Sequence, residues 1–146
     1  MRTPIAVGET HTMTYVVPDN RCVPDVFPES PEFQTVPRVF ATAYMVGAAE
    51  WACMEALRPH LEDGETSVGV HVDLSHTAAT LPGMTVRYEC TVSQVEGRTI
   101  WWDVQAFDDL GPIGSGRHAR AVLDQERFLA GVDKRADQAG VSRVPR

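Results

Sequence analysis

The chain has 146 residues, 43% of them hydrophobic, and a formal net charge of -7. That length suffices for one domain whose core needs neither disulfides nor a structural metal. The acidic balance excludes a nucleic-acid-binding surface, which requires a basic stripe. Cys22, Cys53 and Cys90 are odd in number, widely spaced and set in apolar company, which excludes a disulfide framework or zinc knuckle and fits a reducing cytoplasm. The N-terminus lacks an apolar stretch long enough for a signal peptide, and no segment reads as a membrane span.

Residues 9–17 (ETHTMTYVV) are rich in Thr, Tyr and Val and predict a first strand, stopped by Pro18. Residues 18–37 carry half of the ten prolines, interleaved with Val23, Val26, Phe27, Phe33 and Val36. Proline removes backbone donors and disfavours helix and central strand, so an irregular segment with apolar anchors is expected. Two readings stay open: a loop packed on the core, or a lid over a pocket.

Residues 38–60 predict a helix, opened by Pro37 and closed by Pro59 with Gly64 beyond. Its apolar residues cover every face, which predicts burial on nearly all sides. Strands follow to about residue 125, with turns at Pro82-Gly83, Glu96-Gly97 and Gly111-Pro112. In the second strand Val68, Val70, Val72 and Leu74 alternate with Gly69, His71, Asp73 and Ser75, so the even set is expected to face the core and His76 to continue in phase toward the helix. The third strand (Met84, Val86, Tyr88, Cys90, Val92) and the fourth (Ile100, Trp102, Val104, Ala106) repeat the alternation. Trp101 and Phe107 fall on the opposite face and predict packing against a second copy or the chain's own tail. The fifth, Ile113 to Leu123, contains Gly114 and Gly116, which permit a bulge or a close backbone approach. Residues 1–131 thus form one domain, and 132–146, being polar, are expected to be disordered.

Glu50 stands out within FATAYMVGAAEWACMEAL, a stretch with little other charge. A carboxylate removed from water must be paired, hydrogen-bonded or used in chemistry. Thr42, eight residues earlier, and His76 are placed to meet it. Each has a plain alternative: a structural carboxylate, a helix-capping threonine and a satisfied core histidine. A metal site at His71, Asp73 and His76 is disfavoured because the alternation sets His76 on the other face from the first two. Arg117 and Arg120 read as solvated strand charges or as contacts for a phosphate or the site, and Arg98 as a solvated residue by its turn.

One long helix wrapped by an antiparallel sheet of about five strands, in the order strand, helix, four strands, is the α+β architecture called a hotdog. VGE at 7–9, VVP at 16–18, PESPEF at 28–33, VFAT, MVG and EWAC between 39 and 53, HTAAT at 76–80, SQVEGR at 93–98, and IGSG with HARAV between 113 and 122 closely resemble the fluoroacetyl-CoA thioesterase family over roughly residues 7–128. The resemblance implies a homodimeric hydrolase that cleaves an acyl-CoA thioester without a cofactor or metal, its site near the subunit boundary. It implies catalytic roles for Thr42, Glu50 and His76, which fill the motif positions. It further implies a lid over 18–37, with Val23, Val26, Phe33 and Val36 at the substrate, Gly69 by the thioester carbonyl and Arg120 near the site. The family's fluoroacetyl-specific member carries a phenylalanine where this chain has Val36, and Val26 replaces a bulkier aliphatic residue, which implies a looser acyl pocket. Alternatives are a thioesterase for another small or branched acyl group on CoA or a carrier protein, and a noncatalytic acyl-CoA-binding module.

Thioester hydrolysis needs an activated water or nucleophile, stabilisation of the developing oxyanion, and a proton for the departing thiolate. Glu50 suits the first task as base or nucleophile. His76 suits donation to the carbonyl oxygen or removal of an acidified alpha proton. Thr42 suits positioning, and a Gly69 backbone N–H suits the oxyanion.

Overall fold

A computed structural model describes all residues 1–146. Strand β1 (Thr10–Val16) is followed by two one-turn helices, α1 (Val23–Val26) and α2 (Pro31–Gln34), and by the long helix α3 (Thr42–Leu57), which ends in a 3-10 turn at Arg58–His60. Strands β2 (Glu65–Leu74), β3 (Thr85–Glu96), β4 (Thr99–Asp108) and β5 (Gly111–Asp124) come next, and helix α4 (Gln125–Ala139) closes the chain. The five strands form one sheet in the order β1-β3-β4-β5-β2, every pair antiparallel. This is the expected hotdog, with β1 and β2 at the edges.

The core lies between α3 and one face of the sheet. Val86, Tyr88, Cys90 and Val92 of β3 and Ile100, Trp102, Val104 and Ala106 of β4 are buried as the alternation predicted. They meet Met45, Ala48, Ala49, Ala52, Cys53 and Leu57 of α3. Small residues on that helix face let the backbone lie close to the sheet. Tyr88 donates its hydroxyl to the Met45 carbonyl at 3.0 Å, and burial raises its pKa above the ordinary phenol value. The Cys53 and Cys90 sulfurs lie 3.8 Å apart in this core, and Cys22, within the proline-rich segment, is also buried.

Four expectations change. Helix α3 is not buried all round: Trp51 and Met54 are exposed, Trp51 meeting the Tyr15 ring of β1 edge-on at 6.2 Å. In β2 the register shifts between Gly69 and His71, leaving Val70 as an extra residue. This bulge breaks the uniform alternation, since Gly69 pairs with core-facing Arg120 before it and Val72 with core-facing His118 after it. Residues 132–146 are not wholly disordered, because α4 continues to Ala139. Asp124 caps its first turn by accepting from the Arg127 N–H at 2.8 Å, and Gly140 ends it in the left-handed conformation at φ 70°. Finally, Arg98 is not simply solvated: it donates to the Val122 carbonyl at 3.0 Å and pairs with Glu65.

Segment 18–37 is ordered by its own contacts. Ser30 accepts from the Phe33 N–H at 3.2 Å, Gln34 donates to the Pro24 carbonyl at 2.9 Å and the Phe27 carbonyl at 3.2 Å, and the Phe27 and Phe33 rings meet edge-on at 5.1 Å. A Cys22–Phe40 bridge ties this unit to the chain just before α3.

Candidate active site

Thr42 is the first residue of α3, and its hydroxyl does not cap the helix. It lies 2.7 Å from His76 Nδ1 in the loop after β2. The opposite ring nitrogen, His76 Nε2, is shielded from solvent and has no hydrogen-bond partner. Burial lowers the His76 pKa below the ordinary histidine range, against a smaller opposite effect from the Ala78 backbone. A neutral imidazole with one nitrogen occupied and the other free is a ready proton donor or acceptor.

Glu50 lies eight residues along α3, an axial rise of about 12 Å from Thr42. It does not bond to Thr42 or His76. Its Oε2 accepts from Arg120 Nη1 at 3.1 Å. Arg120 is 4% exposed, so its guanidinium needs nearly every donor satisfied by protein. Nε donates to Ser67 Oγ at 2.9 Å and Nη2 to the Ser67 carbonyl at 3.0 Å. Nη1 also donates to His118 Nε2 at 3.2 Å. Strand β5 places His118, Arg120 and Val122 on one face, and β2 brings Ser67 and Gly69 opposite them.

Gly69 is the floor of this cluster. A Cβ built there would stand 2.8 Å from Glu50 Oε2 and 3.3 Å from His118 Cε1. Above it opens a cavity of about 320 Å³ lined by Glu50, Gly69, Val70, His71, Val72 and His118. A site with a carboxylate, a fixed cation and a glycine floor suits attack on a small carbonyl compound.

The sequence-predicted residues therefore fall into three groups. Thr42 joins His76; Glu50 joins Gly69 and Arg120; Val23 and Val26 (α1), Phe33 (α2) and Val36 lie in the proline-rich segment. That segment is fastened beside Thr42 through the Ala41 N–H to the Arg21 carbonyl at 3.0 Å. Arg120 is buried in the site and not a solvated strand charge, whereas Arg117 is exposed with its guanidinium 4.4 Å from the centre of the Trp101 ring. Sequence reasoning missed Ser67 and His118. For His118 the signal was present, since His118, Arg120 and Val122 alternate in phase.

The fold and the paired polar clusters define a hotdog hydrolase, and the comparisons with known proteins agree. The model of the family "Fluoroacetyl-CoA-specific thioesterase" matches residues 25–126. A fluoroacetyl-CoA thioesterase from Streptantibioticus cattleyicolor is 48% identical over 132 residues, 90% of this chain and 95% of that protein. A solved structure of the fluoroacetyl-CoA thioesterase FlK superposes with a TM-score of 0.88 at 48% identity, covering 90% of this chain and 98% of the other. A thioesterase superfamily member from Thermus thermophilus superposes at 0.80 with 31% identity, covering 96% and 98%. The chain belongs to the fluoroacetyl-CoA-specific thioesterase family.

Proposed function

We propose that this thioesterase hydrolyses a short-chain acyl-CoA, with Glu50 as the group that activates water or attacks the thioester carbonyl. The observation that carries the reading is the carboxylate of Glu50 standing over Gly69, where no side chain competes with a bound acyl group. Arg120 holds Oε2, and Oε1 receives no hydrogen bond from the protein. As a base, Glu50 takes a proton from water while the oxygen adds to the carbonyl; collapse of the tetrahedral intermediate then expels the CoA thiolate, which takes up a proton. His76, with Nε2 unpartnered, donates to the carbonyl oxygen when Thr42 donates to Nδ1. In the other tautomer Nε2 is a base for an acidified alpha proton. A fluorine on the alpha carbon favours that second route.

The partner is proposed to be a second copy of the chain, in the cytoplasm. Edge strand β2 exposes Val70 (54%) and Val72 (49%) beside Glu50, an apolar edge that isolated proteins normally protect. A second copy against β2 covers it and places the cavity at the subunit boundary. Val23, Val26, Phe33 and Val36 then act as the apolar side of a lid. Val36, 38% exposed and smaller than phenylalanine, favours a second reading in which the preferred acyl group is larger or branched.

The test is thiol release from fluoroacetyl-CoA, acetyl-CoA and several larger acyl-CoAs, for the native protein and Glu50→Gln. Strong preference for fluoroacetyl-CoA supports the fluorine-directed reading; preference for a branched group moves the assignment to the second. Wild-type turnover by Glu50→Gln would remove Glu50 from the mechanism.

A further inference from the structure

His118 is 1% exposed, lies outside the Thr42, Glu50 and His76 set, and makes two bonds that fix its state. Its Nδ1 lies 2.8 Å from the His71 carbonyl, which can only accept, so Nδ1 carries the hydrogen. Its Nε2 lies 3.2 Å from Arg120 Nη1, which can only donate, so Nε2 is bare. The ring is thus a neutral relay: donor to β2, acceptor from β5.

The bulge in β2 makes this possible. By inserting Val70 between two paired residues, it brings the Gly69 backbone against Glu50 and the His71 carbonyl against His118. The His71 side chain turns to the other face, its ring 5.1 Å from that of Trp101. Bulges beside active sites commonly re-aim neighbouring groups in this way.

Arg120 shows what the relay is for. Ser67 anchors Nε and Nη2, while Nη1 reaches Glu50 and carries two hydrogens. One goes to Glu50 and the other to His118. Without an acceptor at 118, that second hydrogen is buried and unsatisfied, and the guanidinium gains by tilting away from Glu50 to find one.

We infer that His118 is a positioning residue for the hydrolysis: held by the His71 carbonyl, it fixes the Arg120 arm that aims the Glu50 carboxylate. The inference rests on the reading of Glu50 as the catalytic carboxylate. The charged and titratable groups facing His118 are Arg120 on its own strand and Glu50 on α3; His71 on β2 meets it through the backbone carbonyl, its ring on the other face adding a smaller charge effect. A protonated ring would turn a donor toward Arg120 and break the relay.

The experiment measures kcat and KM for thiol release from an acyl-CoA turned over by the native protein, in His118→Leu, His118→Gln, Arg120→Met and the His118→Leu/Arg120→Met double variant. His118→Leu should lower kcat by roughly ten- to a hundredfold, the scale of one hydrogen bond to a charged group, with KM changed less than about twofold. His118→Gln, whose carbonyl can accept from Arg120, should recover most of that loss. Adding His118→Leu to Arg120→Met should cost nothing further, because residues acting through one another are not additive. Wild-type kcat in His118→Leu, or losses that multiply in the double variant, would overturn the inference. Should His118→Leu fail to fold, nitrogen NMR of the native ring decides: protonated Nδ1 with bare Nε2 at neutral pH supports the relay, and protonated Nε2 overturns it. Glu50→Gln, assayed alongside, separates the two readings. If it is inactive while His118→Leu is fully active, only the positioning role falls; if it is fully active, the premise about Glu50 falls as well.

Discussion

The Gly69 backbone lies against the Glu50 carboxylate so closely that a Cβ would come within 2.8 Å of Oε2. The obstructed atom is the end of a flexible side chain, so Gly69→Ala should move the carboxylate and spare the fold. Its denaturation midpoint is expected to stay close to the native value. If Glu50 is the reacting carboxylate, as proposed, turnover should fall on the order of a hundredfold, which a misplacement of about 1 Å can cost. Parallel denaturant melts and thiol-release assays check this; native kcat would count against Glu50 as the reacting carboxylate.

Burial lowers the pKa of both His76 and His118. For His118 the Arg120 charge adds to that effect, while the bond to the His71 carbonyl and the Glu50 charge oppose it. The unfolded chain titrates these rings at about 6.5 and so binds more protons than the folded chain just below that pH. Stability should therefore be fully present above about pH 7 and decline as pH falls through 6.5 toward the lower folded values. Glu65, held down to about 2 in the folded chain by the Glu62 backbone and its cationic partners, adds a further loss only once pH falls below its unfolded value of about 4.3. Urea midpoints across the acid range should show the decline, with a shallower slope in His118→Gln.

Val72→Glu places a charge on the exposed edge of β2. If two copies join there, sedimentation should show the native protein as a dimer and the variant as a monomer with a native far-ultraviolet spectrum. A variant that remains dimeric would move the interface elsewhere.

Asp124→Ala removes the acceptor for the Arg127 N–H at the start of α4. Loss of such a cap costs about 1 kcal/mol of helix stability. Because α4 makes no bond to Glu50 or His76, kcat should be unchanged while amide exchange in 125–139 accelerates. An unchanged exchange pattern would show that the cap contributes little there.

The strands β3 and β4 and the central helix were legible because an unbroken alternation or a long apolar run reports directly on one-sided burial. The β2 bulge was not, since Val68, Val70 and Val72 are equally apolar on either face and nothing in their identity marks the extra residue. Its consequence was that Ser67 and Gly69, not Val68 and Val70, face Glu50 and Arg120. Glu50 and His76, expected to meet, each take their own polar partner because eight helical residues, about 12 Å, separate Glu50 from Thr42. Helix α4 was missed because polarity was given more weight than its end signals, Asp124 before the first turn and Gly140 after the last. Arg120 was recognised through family resemblance, while His118 in the same HARAV stretch passed as part of a strand. The exposure of Trp51 and Met54 shows that composition can tell that a helix is apolar without telling how many neighbours cover it.

The three buried thiols divide the molecule into two reporting zones. Cys53, on the sheet-facing side of α3, is hydrogen-bonded to the Cys90 thiol and buried, both of which raise its pKa, so neither free thiolate nor reagent access is expected while the sheet and helix stay together. Cys22 is also inaccessible to solvent, but it lies within the proline-rich segment, at its bridge to Phe40, and outside the α3–sheet core. A thiol-specific label should therefore reach Cys22 at the rate at which that segment lifts, and Cys53 and Cys90 only at the rate of global unfolding. Cys22 labelling would thus time any opening of residues 18–37 separately from global unfolding, and the folded enzyme contributes little background when released CoA is counted by the same thiol chemistry.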